Sequence, residues 1–289
     1  MRRFEFTFMS INSEFYAKPI TALVIEPDEV NQDTGAMLFT HGWGGNRFQH
    51  QDKMEVSADA LNIACIAVEF RQSGYDFDAV RGIGACHPYD ASHFQVFDVI
   101  NGIRSYLNIR VNINRKRLFH YGGSQGGHIA LLSSIFAPDT FAFVYASCPI
   151  TYIDDKICAW TGREFLDYEL SVRNVLEHSN DIKCPIFLEH GTADTTVPYT
   201  HTKMLADKLK VLNKPVRLEF YEGGEHDLTP ITTKLDAYKK MCFDPLRNLT
   251  LTGQDNFANM DKVAIKCANK TFVIDWSKDS DKTAMIHWC

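Results

Sequence analysis

A serine, a histidine and an aspartate suited to acyl chemistry can be picked out of this chain by the residues around them. Ser124 stands in Gly-Gly-Ser-Gln-Gly-Gly, residues 122–127. A free serine hydroxyl is a weak nucleophile and needs an adjacent base. Glycines on both sides allow the sharp strand-to-helix turn that presents such a hydroxyl. The apolar run 118–121 precedes the motif as a strand, and 128–136 follows as a helix. An ordinary Gly-rich strand–helix connection would have the same local pattern.

Three more segments complete the set. His-Gly-Trp-Gly-Gly, residues 41–45, follows the apolar run 36–40. A glycine-rich loop there can bring backbone N–H donors close to a reacting carbonyl, and such donors lower the barrier by several kcal/mol. The donors expected are the N–H groups of Trp43 and of Gln125, the residue after the serine. A phosphate-binding loop is the rival, but no Walker lysine and no G-x-G-x-x-G follows. Asp194 lies in His-Gly-Thr-Ala-Asp-Thr-Thr-Val-Pro, residues 190–198, just past the run 185–189. There it can orient an imidazole and fix its tautomer. His226, in Glu-Gly-Gly-Glu-His-Asp at 222–227, follows the run 216–221 and is the expected base. His41 and His190 belong to the other two loops and are read as structural. Taken singly, Asp194 reads as a cap and His226 as a solvated loop residue. Taken together, oxyanion loop, Ser, Asp and His each follow a strand.

Those strands imply a scaffold. The runs 36–40, 63–70, 117–121, 141–146 and 185–189 are apolar at nearly every position, as in parallel strands buried on both faces. Residues 216–221 alternate, which suits a strand nearer the edge. Between them lie helical stripes, such as Val96, Ile100, Ile103 and Leu107, or Leu205, Leu209 and Leu212. Strand and helix alternate over about 200 residues, so the expected class is α/β with a mostly parallel, doubly wound sheet. Phe4, Phe6 and Phe8 alternate, and an extended run from Phe15 to Ile25 follows; these predict an N-terminal hairpin. The division expected is a domain over 1–244 and a C-terminal extension over 245–289. Within the extension Val263, Ile265 and Cys267 face Phe272, Ile274 and Trp276 across a hairpin. Residues 71–91 read as a long loop. Residues 147–183 read as a small cap insertion, with Phe165, Tyr168, Val172 and Val175 on one side of a single helix. Trp160 falls outside that stripe and is the candidate to line the substrate site.

Composition narrows the classes of function. A net charge of −6 offers no footprint for nucleic acid or an anionic membrane. No stretch approaches the roughly 18 apolar residues of a membrane span, and the N-terminus lacks the apolar core of a secretory signal. A cytoplasmic location is the expectation. The eight cysteines form no C-x-x-C pair and read as small apolar residues rather than a disulfide framework. No cluster has metal-ligand spacing in the sequence, so neither metal nor cofactor is expected. The partner expected is a small-molecule or acylated substrate.

Between about residues 15 and 243 the sequence resembles the α/β-hydrolase superfamily. G-G-S-Q-G-G and H-G-x-x-D-x-x-V-P are similar to motifs of its prolyl-oligopeptidase and dienelactone-hydrolase-like branches. Glu69-Phe70-Arg71 resembles the D-x-R segment of that branch, with glutamate where aspartate is frequent. The resemblance implies an α/β-hydrolase fold and a serine hydrolase. It covers the catalytic half of the oligopeptidases and not their β-propeller, which favours a compact carboxylesterase working through an acyl-enzyme. A serine peptidase or amidase is the nearest alternative, and a non-catalytic, hydrolase-like binding protein is another.

Overall fold

The computed structural model describes residues 1–9, 19–78, 83–84, 89–278 and 285–289. Strands β1 (Arg2–Met9) and β2 (Pro19–Glu26) form the expected antiparallel hairpin, though Phe15 lies outside the described residues. There follow β3 (Gly35–Thr40), α1 (Gln51–Leu61), β4 (Ile63–Glu69) and a short ribbon of β5 (Phe77–Asp78) with β6 (Ile83–Gly84). Then come α2 (His93–Ile109), β7 (Leu118–Gly123), α3 (Gln125–Phe136), β8 (Phe143–Ser147), α4 (Asp155–Thr161) and α5 (Asp167–Val172). The chain goes on through β9 (Ile186–Gly191), α6 (Thr200–Val211), β10 (Val216–Tyr221), α7 (Lys234–Asn248) and α8 (Asn256–Asn259). It ends in β11 (Lys262–Cys267), β12 (Lys270–Asp275) and β13 (Ile286–Trp288).

Eight strands form one sheet in the order β1-β2-β4-β3-β7-β8-β9-β10, parallel from β4 onward. The apolar runs are the central strands because both their faces are covered. Met54, Ala58 and Leu61 of α1 and Tyr238, Met241 and Leu246 of α7 pack on one face. Residues of α2, α3 and α6 pack on the other. This is the α/β-hydrolase arrangement, and β10, the strand that alternates, is an edge.

Three expectations about element limits need correction. Helix α7 runs through Pro245 to Asn248, so the boundary expected between 244 and 245 falls inside a helix. Proline has no N–H for the carbonyl four residues back. Here Arg217 Nη1 donates to that carbonyl, Met241 O, at 3.2 Å. The extension also shares the main core. Ile265, Phe272, Ile274 and Trp276 pack in the same cluster as α3, and Trp276 Nε1 donates to Phe136 O at 3.0 Å. That cover is why α3 is buried at every position rather than amphipathic. Its hairpin pairs Val263 with Ile274 and Ile265 with Phe272, whereas Cys267 pairs with Lys270 and Trp276 lies just past β12; β13 adds a third strand. Finally, the insertion holds two short helices instead of one. Gly162 ends α4 with φ of 65°, and α5 begins only at Asp167, so Phe165 precedes α5 and Val175 follows it.

Candidate active site

Ser124 links β7 to α3 with φ 56° and ψ −122°, a conformation costly for any residue with a side chain. The flanking glycines make that turn physically possible. A Cβ on Gly126 would stand 2.0 Å from Thr40 O, and one on Gly122 2.0 Å from Gly126 O. The start of α3 is thus pressed against β3, and the loop after β3 comes with it. A Cβ on Gly42 would lie 3.4 Å from Ser124 Cβ.

Gln125 is the first residue of α3, so its N–H has no carbonyl within the helix to bond. Trp43 lies in the loop after β3, its ring stacked on Tyr89 at 4.2 Å. The Tyr89 hydroxyl donates to Gln125 Oε1 at 2.8 Å. One tyrosine therefore touches both residues expected to supply oxyanion donors. Gln125 Nε2 donates in turn to Gln95 Oε1 at 3.0 Å. Arg71, of the Glu69-Phe70-Arg71 segment, makes a buried bidentate pair with Asp98 of α2, both contacts 2.8 Å. Gln95 Nε2 donates to Arg71 O at 3.1 Å. None of Tyr89, Gln95 and Asp98 was singled out from sequence. Tyr89 lies just before α2, outside any periodic pattern, and Gln95 and Asp98 fall outside the apolar positions of the α2 stripe.

The Asp194 and His226 loops meet at the end of β9. A Cβ on Gly191 would sit 2.1 Å from Gly224 O, so only glycine lets these backbones approach. Ala193 N–H donates to Gly224 O at 2.9 Å, and Gly223 N–H to Thr192 Oγ1 at 2.9 Å. His226 Nδ1 thereby comes to 2.6 Å from Asp194 Oδ2. Asp194 Oδ1 accepts from the N–H groups of Thr196 and Val197 at 2.8 and 2.9 Å. Burial pushes the Asp194 carboxyl up, but hydrogen bonds from His190 and His226, with the charge of His226, hold it below the ordinary range.

His190 and His41, expected to be structural, are both buried. His190 is buried, with Nδ1 2.7 Å from Thr202 Oγ1 and Nε2 3.0 Å from Asp194 Oδ2. His41 is buried against Phe70, and burial lowers its pKa to about 4 despite a hydrogen bond with Gly42 O.

Trp160, on α4, meets Trp43 edge-on at 5.9 Å. Both pack on Ile150, Ile157 and Val197. The aromatic wall therefore joins the insertion to the loop after β3 and, through Val197, to the Asp194 loop.

The profile of the prolyl oligopeptidase family matches residues 90–242, more than half of the chain. Among curated proteins, the acylamino-acid-releasing enzyme of Rattus norvegicus is 25% identical over 62% of this chain and 26% of its own length. An uncharacterized peptidase of Bacillus subtilis, YtmA, is 26% identical over 41% of this chain and 51% of its own. The matched region is thus about half or less of these relatives. Pyrococcus horikoshii acylaminoacyl peptidase superposes with a TM-score of 0.69 at 18% identity, covering 88% of this chain and 42% of that one. An esterase of Thermogutta terrifontis superposes with a TM-score of 0.60 at 17% identity, covering 81% and 90%.

Proposed function

Since the chain belongs to the prolyl oligopeptidase family, we propose that it is a serine hydrolase that cleaves acyl substrates through an acyl-enzyme on Ser124. His226 takes the hydroxyl proton as Ser124 attacks and returns it to the leaving group; Asp194 orients the ring and stabilises its charged form. The N–H groups of Trp43 and Gln125 receive the oxyanion. Water then repeats the cycle on the ester intermediate. The observation carrying this reading is the His226–Asp194 hydrogen bond of 2.6 Å, made by loops from two neighbouring strands.

A carboxylic ester is the substrate class proposed first, because an alcohol departs with less help from His226 than an amine. Peptide or acylamino-peptide cleavage is the second reading, favoured by the family and by the rat acylamino-acid-releasing enzyme. Trp160, with Trp43, is proposed to line the acyl side of the site. The test is fluorophosphonate labelling combined with turnover of acyl esters, sugar acetates and aminoacyl amides. Ser124→Ala should lose labelling and at least about 10⁶ in kcat while remaining folded. Undiminished turnover by that variant would sink the assignment.

A further inference from the structure

Behind the proposed triad three buried side chains converge: Cys148 just past β8, His190 on β9, and Asp194. One potential ligand atom from each, a sulfur, an imidazole nitrogen and a carboxylate oxygen, lies within 4.8 Å of the other two. We propose that this trio is an inhibitory site for a thiophilic divalent cation such as zinc or cadmium, which binds Asp194 in competition with His226.

The donor set selects the ion. Thiolate with imidazole suits zinc-like cations, whereas calcium and magnesium take oxygen ligands. Zinc bonds of about 2.0–2.3 Å at tetrahedral angles put ligand atoms about 3.3–3.6 Å apart. His190 Nε2 and Asp194 Oδ2 are already 3.0 Å apart, so binding asks for adjustments of about an ångström or less. Thiolate and carboxylate together neutralise the dication, which a buried site requires.

The protons balance as follows. His190 Nε2 faces two acceptors, Asp194 Oδ2 at 3.0 Å and Val197 O at 2.9 Å, so it carries the proton and Nδ1 accepts from Thr202. On binding, that proton passes to Nδ1, the Thr202 hydroxyl turns to accept it, and Nε2 gives its lone pair to the metal. The Cys148 thiol, pushed up to about 12 by burial, gives its proton to solvent. One proton is released for each cation bound.

Inhibition follows from sharing one atom. Asp194 Oδ2 faces His190 Nε2 at 3.0 Å and is also the acceptor for His226 Nδ1, so a cation bound with His190 through that oxygen competes with His226. A cation there draws off the carboxylate and leaves the imidazole unoriented. That consequence rests on the proposed triad, whereas the metal site itself does not.

The experiment titrates cadmium into the chain with Cys86, Cys158 and Cys289 changed to serine. Cys158 and Cys289 are accessible, and Cys86 lies outside the described residues. Ultraviolet cadmium–thiolate absorption reports binding, and fluorophosphonate labelling reports the nucleophile. The expected result is absorption saturating at one equivalent, with labelling lost at the same midpoint and restored by a chelator. Cys148→Ala and Cys148→Ser, each checked for an unchanged thermal midpoint, should lose the absorption. Both should need at least about tenfold more cadmium for inhibition. Absorption that persists in the folded Cys148 variants, their inhibition at the parent's concentration, or absorption without loss of labelling would overturn the proposal. A chain never labelled, even without cadmium, would refute the triad reading, while the absorption would still decide the metal site.

Discussion

Asp194 serves two imidazoles through one oxygen. Its Oδ2 faces His226 Nδ1 at 2.6 Å and His190 Nε2 at 3.0 Å, while Oδ1 accepts two backbone N–H groups. In Asp194→Asn the amide oxygen can keep the backbone bonds, so the loop should hold its shape. The amide nitrogen must then face the two rings. As a donor it favours the His226 tautomer with Nδ1 bare and Nε2 protonated, which cannot take the serine proton. Loss on the order of 10⁴ in kcat is expected, as in other triads, with a small change in thermal midpoint. A loss below about tenfold would point to a different acid, with Glu222 and Glu225 tested next. Asp194 and His226 were legible in sequence because each lies in the loop just after a strand, β9 or β10, and neighbouring parallel strands bring such loops together. That His190 shares the same oxygen was not legible, since side-chain direction within a loop leaves no period to read.

At the scale of elements, the sheet was readable because burial on both faces writes an unbroken apolar run, as in residues 36–40 and 63–69. The insertion was less so. Phe165, Tyr168, Val172 and Val175 fall at helical spacing, yet Gly162 ends one helix early, and the stripe spans the start and end of a six-residue one. Least readable was the connection made by Tyr89, whose ring holds Trp43 and whose hydroxyl holds Gln125. Tyr89→Phe keeps the ring and leaves Gln125 Oε1 without that donor. Stability should fall by about 1–3 kcal/mol. The rate constant kcat should fall about tenfold with KM little changed, short of the 10² to 10³ that follows loss of an oxyanion donor. Unchanged kcat would make Tyr89 a packing residue only. Trp160→Ala probes the other end of the aromatic wall. Because Trp160 is only partly buried, kcat/KM on the preferred substrate should drop more than stability does. A large drop in thermal midpoint with unchanged kcat/KM would return Trp160 to the core.

Across the whole molecule, the buried histidines outside the proposed triad are expected to set how the fold responds to acid. His41, His50, His93, His120 and His128 are all buried. Burial lowers His41 to about 4 and His120 and His128 to about 3, and holds His50 and His93 well below the ordinary value. Their bonds tie the elbow to its surroundings. His120 bridges Thr40 and Ser133 at 2.6 and 2.8 Å, and His128 joins Ser92 to Arg173 O at 3.1 and 2.7 Å. In the unfolded chain each takes up a proton near about pH 6.5. Between that pH and the lowered folded values the unfolded state binds more protons, so stability rises with pH there and falls on acidification. Each histidine contributes up to about 1.4 kcal/mol per pH unit. Asp194, also held low, acts in the same direction but only once pH drops below about 4. Five such histidines against a total stability of about 5–15 kcal/mol predict acid unfolding with a midpoint near about pH 5, ahead of carboxylate titration. Unfolding free energy from urea melts, followed from pH 7.5 to 4, should show the uptake of several protons on unfolding below about pH 6. His128→Gln, which keeps a polar group between Ser92 and the Arg173 carbonyl, should reduce that uptake by about one. A midpoint below pH 4 with uptake of one proton or none would show that the buried imidazoles do not govern the acid limit.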